Sequence, residues 1–469
     1  MVTHELRQIL RDGRFWGVAA LMTALLLSSG VFGWNHASAV QAERAEAQRT
    51  SEAQWADQGE KNPHAAAHYG IYVFKPTGAL SFFDPGVESS LGVTVKLQAH
   101  KRSSLQGAAS QDSTALDAFG RLSPAAILQL ILPLLIIGLG FTAWSAERER
   151  GTLRQIMSYG VAPPRLLQGK LLGLGAALGL LTLPALLVAI GGALWAPTAP
   201  PLGRAAALLA VYGLYMGAYL LGAIAVSARA PSSRDALVLL LGFWGLTSLI
   251  VPRLAGDLID AAVPMPAAAT FAAELSEHME RGLPGGPGRE ARVEELLGDL
   301  LKREGFSGEG GMMMMQGSLL QGMELEAEAA FEREVIDHHF NRLAERTRLQ
   351  DTATQCVALL SPFVAIRSLS MGLAGTDLAH HQHFARRAES YRRELVSQLN
   401  REFAERGGVD GWAYRANRAL WEKAPPFTYA PPPLAWAAQR QAISAGALAL
   451  WFTLVCVAAW ASARRLKVG

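Results

Sequence analysis

Charge is scarce in this chain. Asp, Glu, Lys and Arg make up only 18% of its 469 residues, against about a quarter in an ordinary soluble domain. That scarcity argues against a uniformly soluble globular enzyme. The 43 basic and 40 acidic side chains that remain exclude the opposite extreme, a bundle wholly embedded in lipid, because they need water. Cysteine is nearly absent too. Cys356 lies in a polar region and Cys456 in an apolar run, so no intrachain disulfide staples the soluble parts, which must hold by packing. Catalytic signatures are missing as well. A phosphate-cradling loop needs G-x-x-x-x-G-K-[ST], yet Gly169-Lys170 is followed by Leu171, and Pro164 stands where the first Gly belongs. H-E-x-x-H does not occur, since His4-Glu5 leads into Leu6, Arg7 and Gln8, and no G-x-S-x-G elbow is found. The chain is therefore not read as an enzyme. ATP-driven work, if any, comes from a partner.

What is present are six windows without Asp, Glu, Lys or Arg: residues 15–34, 122–146, 171–195, 205–228, 236–252 and 441–463. Five reach the roughly 20 residues needed to cross a hydrocarbon core as a helix. The fifth window is shorter and is extended to 232–252 through Ser232 and Ser233. The expected fold is an all-α polytopic membrane protein with six transmembrane helices. The first window follows Arg7, Arg11 and Arg14 and precedes Ala37-Ser38-Ala39, like a cleavable signal. It is longer than the typical apolar core of a signal, about 7–15 residues, and reads better as a span. With both termini inside, the inner segments 1–14, 147–170, 229–235 and 464–469 carry 13 basic residues against five acidic ones, as the positive-inside rule asks. The short outer loop at 196–204 is Pro-rich and has only Arg204. The spans hold no Asp, Glu, Lys, Arg or His, so a proton-coupled carrier lacks its usual relay. Pro133, Pro184 and the glycines Gly173, Gly175, Gly179, Gly191 and Gly192 suit kinked, closely approaching helices.

Two long segments then lie outside. Residues 35–121 start polar and helical. They continue with Val-, Tyr- and Phe-rich stretches at 69–74 and 91–97, punctuated by Pro76, Gly78, Pro85 and Gly86, which is strand chemistry with turns. A small α/β element is expected there. Residues 253–440 read as a larger helical domain. Asp377 offers an N-cap before a stripe of Phe384, Ala388, Tyr391, Leu395, Leu399 and Phe403, and a second helix spans about 318–350. Trp412, Trp421 and Trp436 near Pro431-Pro432-Pro433 fit an interfacial belt.

The most informative inner segment is Glu147-Arg148-Glu149-Arg150-Gly151-Thr152-Leu153, followed by Pro163-Pro164-Arg165 and Gln168-Gly169-Lys170. Alternating carboxylates and guanidinium groups suit a docking surface for a protein at the membrane face. A plain solvated loop with charges for topology explains the same residues. The E-R-E-R-G-T-L run, with the Pro and the G-K that open the next span, resembles the signature of ABC-2-type permeases. The six-span order and an amphipathic elbow at residues 1–14 are similar to theirs too. His68-Tyr69-Gly70, Phe82 to Gly86, Ala99-His100-Lys101, Ser361-Pro362 and Gly375-Thr376-Asp377 resemble a subgroup with large periplasmic insertions. The resemblance implies a bacterial inner-membrane subunit with Glu147 to Leu153 as the coupling helix. It implies a second permease, identical or related, and a cytoplasmic ATPase dimer that carries ATP and Mg, with no cofactor in this chain. A periplasmic partner is compatible with it. No nucleic-acid partner is expected. Such a subunit either lines a translocation path or transmits ATPase strokes to a periplasmic partner. A copper-handling variant rests on His338-His339, His380-His381-x-His383 and the Met312 to Met315 run. Packing in a helical bundle is the plainer explanation of those residues, since no outside Cys cluster or carboxylate spacing completes a site, and no metal ligand is assigned.

Overall fold

A computed structural model describes residues 2–11, 13–107, 122–195, 201–306 and 317–466. Six of its helices are long and apolar enough to cross a membrane: Phe15–Ala56, Pro124–Glu149, Pro163–Leu194, Leu202–Arg229, Ser233–Ala262 and Ala442–Arg464. Each overlaps one of the six charge-free windows. Leu21, Phe32, Leu172, Leu187, Val238 and Leu454 stand exposed on them. An apolar surface of that extent suits lipid as its solvent, and helices satisfy their own backbone there. The fold is that of an all-α polytopic membrane protein with one small sheet.

Helices in lipid gain little from apolar burial and associate through close packing. The Leu202–Arg229 helix is central and buries Tyr212, Tyr215 and Tyr219. Its Gly217 faces the Phe452 ring of the last span, and Ala223 faces Gly140 of the second. Two of the glycines singled out in the sequence serve such approaches. A Cβ at Gly173 would fall 2.6 Å from the Glu5 Cβ, and one at Gly192 would fall 2.2 Å from the Phe82 ring. Gly179 faces open space, and Gly175 and Gly191 have ordinary clearances. The fifth span is longer than its charge-free window. The Ser232 side chain caps it by accepting from the Asp235 N–H, and a π-helical turn at Leu246–Ile250 absorbs Pro252.

The first span does not stop at the end of its apolar run. It continues as one helix, Gly13–Ala56, of 44 residues. The extension carries a three-stranded antiparallel sheet of β1 (Ile71–Phe74), β2 (Thr94–Gln98) and β3 (Lys101–Arg102), in the order β1-β2-β3. Ser51 Oγ bonds both the N–H and the C=O of Tyr72, and Gln48 and Gln41 accept from the backbones of Phe74 and Thr77. The second long segment packs on the buried face of this sheet. Asp377 caps the Leu378–Arg406 helix, and the whole stripe from Phe384 to Phe403 is buried. Ile71, Val73, Val95 and Leu97 share one core with Tyr391, Leu395 and Leu399. The two long segments thus build one body. Trp421 belongs to that core instead of an interfacial belt: it is 1% exposed, lies edge-on to Trp55 and donates to the Gly59 carbonyl.

One helix of the second long segment departs from it. Pro362–Ala374 is 13 residues long, almost wholly buried, and packs among the membrane helices. Ser361 caps its start, and Gly375, at φ 78°, ends it in the left-handed region that a Cβ disfavours.

Candidate functional site

The inner-loop motif is built by a break in the second span. At Trp144 and Ser145 the backbone N–H groups leave the helix ladder and donate to Ser227 Oγ of the fourth span, at 2.9 and 3.1 Å. A short helix, Ser145–Glu149, follows. Gly151, at φ 72°, turns the chain into a second one, Thr152–Ser158.

Most of the charges predicted for docking are engaged within the chain. Glu147 binds Lys170 Nζ at 2.6 Å. Lys170 is 2% exposed, binds Glu5 of the Val2–Arg11 helix at 2.9 Å as well, and lies 5.3 Å from the centre of the Trp144 ring. Arg148 donates to the Ala228 and Ala230 carbonyls, closing the C-terminal end of the fourth span. Glu149 accepts from the N–H and the hydroxyl of Ser233, at the N-terminal start of the fifth. Thr152 Oγ1 donates to the Glu147 carbonyl, and Leu153 is buried in the core. Arg150, Gly151 and Thr152 remain exposed, with Arg154, Gln155 and Tyr159 beside them. Tyr159 is 77% exposed. The structure therefore splits the seven predicted residues: Glu147, Arg148, Glu149 and Leu153 tie helices together, while Arg150, Gly151 and Thr152 are exposed at the turn.

A second polar site lies at the opposite end of the helices, around Pro362–Ala374. Arg204, read as a loop residue, sits buried in the first turn of the fourth span and donates to the carbonyls of Gly372, Leu373 and Pro432. His380 bonds Asp377 at 2.5 Å, and Gln441 donates to the same carboxylate. Burial raises the Asp377 pKa, but the His380 and Gln441 bonds outweigh it and hold the carboxyl below its ordinary range. Nearby, Gln129 donates to Tyr212 Oη at 2.8 Å, Tyr212 and Ser370 hydroxyls are 3.0 Å apart, and Ser370 donates to Asp84. Burial pushes the Asp84 carboxyl up, against bonds from Ser370 and Gly86. Sequence reading missed this site, because its residues come from five separate stretches; Asp84, Arg204, Asp377, His380 and Pro432 were each noted there, but in unrelated readings.

The histidines regroup. His339 lies 2.8 Å from His278, and His380 and His383 pair with Asp377 and Tyr429. Met312 to Met315 lies outside the described residues. Three other imidazoles converge instead. His64 Nε2 is 3.0 Å from His68 Nε2 and 3.5 Å from His100 Nε2, and His100 Nδ1 is 2.7 Å from Glu332. Burial, then His68 and His100, hold His64 down to about 4, while Glu332 raises His100. The sequence held one signal for this group, the i,i+4 spacing of His64 and His68 on a helix.

Six apolar helices, a short charged turn between the second and third, and a large body at the other end of the helices define a polytopic membrane protein. Comparison with known proteins narrows this. Residues 319–430 match a family described as a domain of unknown function, DUF3526. Over 130 residues, or 26% of this chain, the sequence is 35% identical to the Probable ABC transporter permease protein NosY of Pseudomonas aeruginosa. The match spans less than half, 46%, of that relative. The similarity is to a permease, a membrane subunit of an ABC transporter.

Proposed function

We propose that this chain is the permease subunit of an ATP-driven ABC-2-type transporter of a bacterial inner membrane, with both termini in the cytoplasm and the large body in the periplasm. Two permeases, identical or related, would pair around the path, and a cytoplasmic ATPase dimer carrying ATP and Mg would drive them. One observation carries the reading. Glu147, Arg148 and Glu149, with Lys170, join the Val2–Arg11 helix and the third, fourth and fifth spans into one plate, while Arg150, Thr152 and Tyr159 are exposed beside it. A stroke received by the outward residues thus reaches several spans at once. Partial identity with a named permease supports it. The test is a photo-crosslinking residue at Tyr159 in the assembled membrane complex. An ABC ATPase in the crosslink is expected; a crosslink to lipid alone would sink the reading.

A second reading is favoured by the Gly13–Ala56 helix, which joins the membrane to the sheet without a break. The subunit would then transmit ATPase strokes to a periplasmic partner and move no substrate itself. ATP-dependent uptake or efflux in sealed vesicles separates the two readings.

A further inference from the structure

We propose that His64, His68 and His100 form a binding site for a divalent metal of borderline softness, Zn2+ or Cu2+, on the seam between the two long segments. Two imidazoles come from one helix turn. Pro63 starts that helix and the Asn62 side chain accepts from the His64 N–H, so His64 and His68 are fixed on one face. The third comes from the turn between β2 and β3, where His100 holds φ at 62°, the one positive value outside glycine among the described residues. Histidine is among the few residues besides glycine that adopt this region with some ease, so the turn can present its imidazole. The three ligand nitrogens lie within 4.8 Å of one another. Two separations, 3.0 and 3.5 Å, bracket the about 3.3 Å that two nitrogens at about 2.05 Å from a tetrahedral metal would show.

The surroundings suit this. Glu332 takes the Nδ1 side of His100 at 2.7 Å, which aims its Nε2 at the other two rings. A carboxylate behind a ligating histidine is the usual orienting partner. His64 Nδ1 and Asn400 Oδ1 are both buried and without a hydrogen-bond partner among the described residues, and both residues line one small cavity, so Asn400 can take Nδ1 when Nε2 is on the metal. Three neutral nitrogens without thiolate or thioether favour Zn2+ or Cu2+ over Cu+, and over the oxygen-seeking Mg2+ and Ca2+. His64, His68 and His100 belong to the first long segment, and Glu332 and Asn400 to the second. A bound ion therefore fixes the rings that meet Glu332 and Asn400 across the seam, whether or not the chain is a permease.

The test uses full-length protein purified in detergent, stripped with a chelator and given Zn2+ alone. One Zn2+ per chain is expected after gel filtration, with a higher Tm that Mg2+ does not reproduce. His68 is exposed, so H68Q should lower retention roughly tenfold or more while leaving the metal-free Tm unchanged. H338Q should retain the metal. X-ray absorption of the loaded native protein should count three imidazoles, a readout that needs no variant. No stoichiometric Zn2+, full retention in the H68Q/H100Q double variant, or fewer than two imidazoles around the metal would overturn the proposal.

Discussion

Lys170 and Glu147 form an ion pair of 2.6 Å across the turn that joins the second and third membrane helices, and Glu5 completes it from the N-terminal helix. Lys170 is almost fully buried. Losing one member of such a pair leaves a charge uncompensated, at a cost of about 3–5 kcal/mol. K170M and E147K are expected to lower the Tm in detergent sharply, and E147K/K170E to recover part of the loss. If E147K folds with native Tm, the pair does not hold the plate together.

The outward residues should behave differently. R150E with Y159A is expected to leave the Tm within error and weaken ATPase binding by about 2 kcal/mol or more, roughly 30-fold. Binding is measured on reconstituted complexes by titration. Equal loss of stability and binding would mean that these residues serve the fold.

Asp84 gives a pH dependence. Burial raises its pKa in the folded protein. The unfolded chain therefore releases this proton at lower pH, and stability falls as pH rises through the interval between the two values. D84N removes that fall. At about pH 8 the variant should melt above the native protein, and near about pH 4 the two should converge. A constant offset at both pH values would count against a buried, reluctantly ionised carboxyl.

Continuity of the Gly13–Ala56 helix is testable at its middle. Ala39 is exposed there, and A39P removes a ladder bond at a cost of about 3 kcal/mol while kinking the helix. Spin labels at Ser28 and Gln54 should report a shorter, broader distance in the variant. Unchanged distances would show that the sheet is held in place without the helix.

The spans were legible because excluding charge from lipid leaves a strong mark, and 15–34 or 205–228 carry it without interruption. The first two strands and the Asp377 cap were legible from local chemistry, since alternation, turns and caps need only near neighbours. Pro362–Ala374 was not. It is too short to cross a bilayer, and Arg367 interrupts its apolar run. Nor could the sequence say which charges of E-R-E-R face inward, because Lys170, Ser233 and the Ala228 carbonyl meet them only after folding. His100 joins His64 and His68 through strand pairing across more than 30 positions, which no local spacing encodes.

At about 1.5 Å per residue, the 44 residues of the first helix make a rod of about 66 Å. Each degree of tilt about its Gly13 end carries the Trp55 end sideways by about 1 Å. A rotation of the membrane half small enough to pass between packed neighbours therefore becomes, at the sheet, a displacement on the scale of a side chain. On the force-transmitting reading proposed above, the helix would act as a mechanical amplifier whose output is at the body.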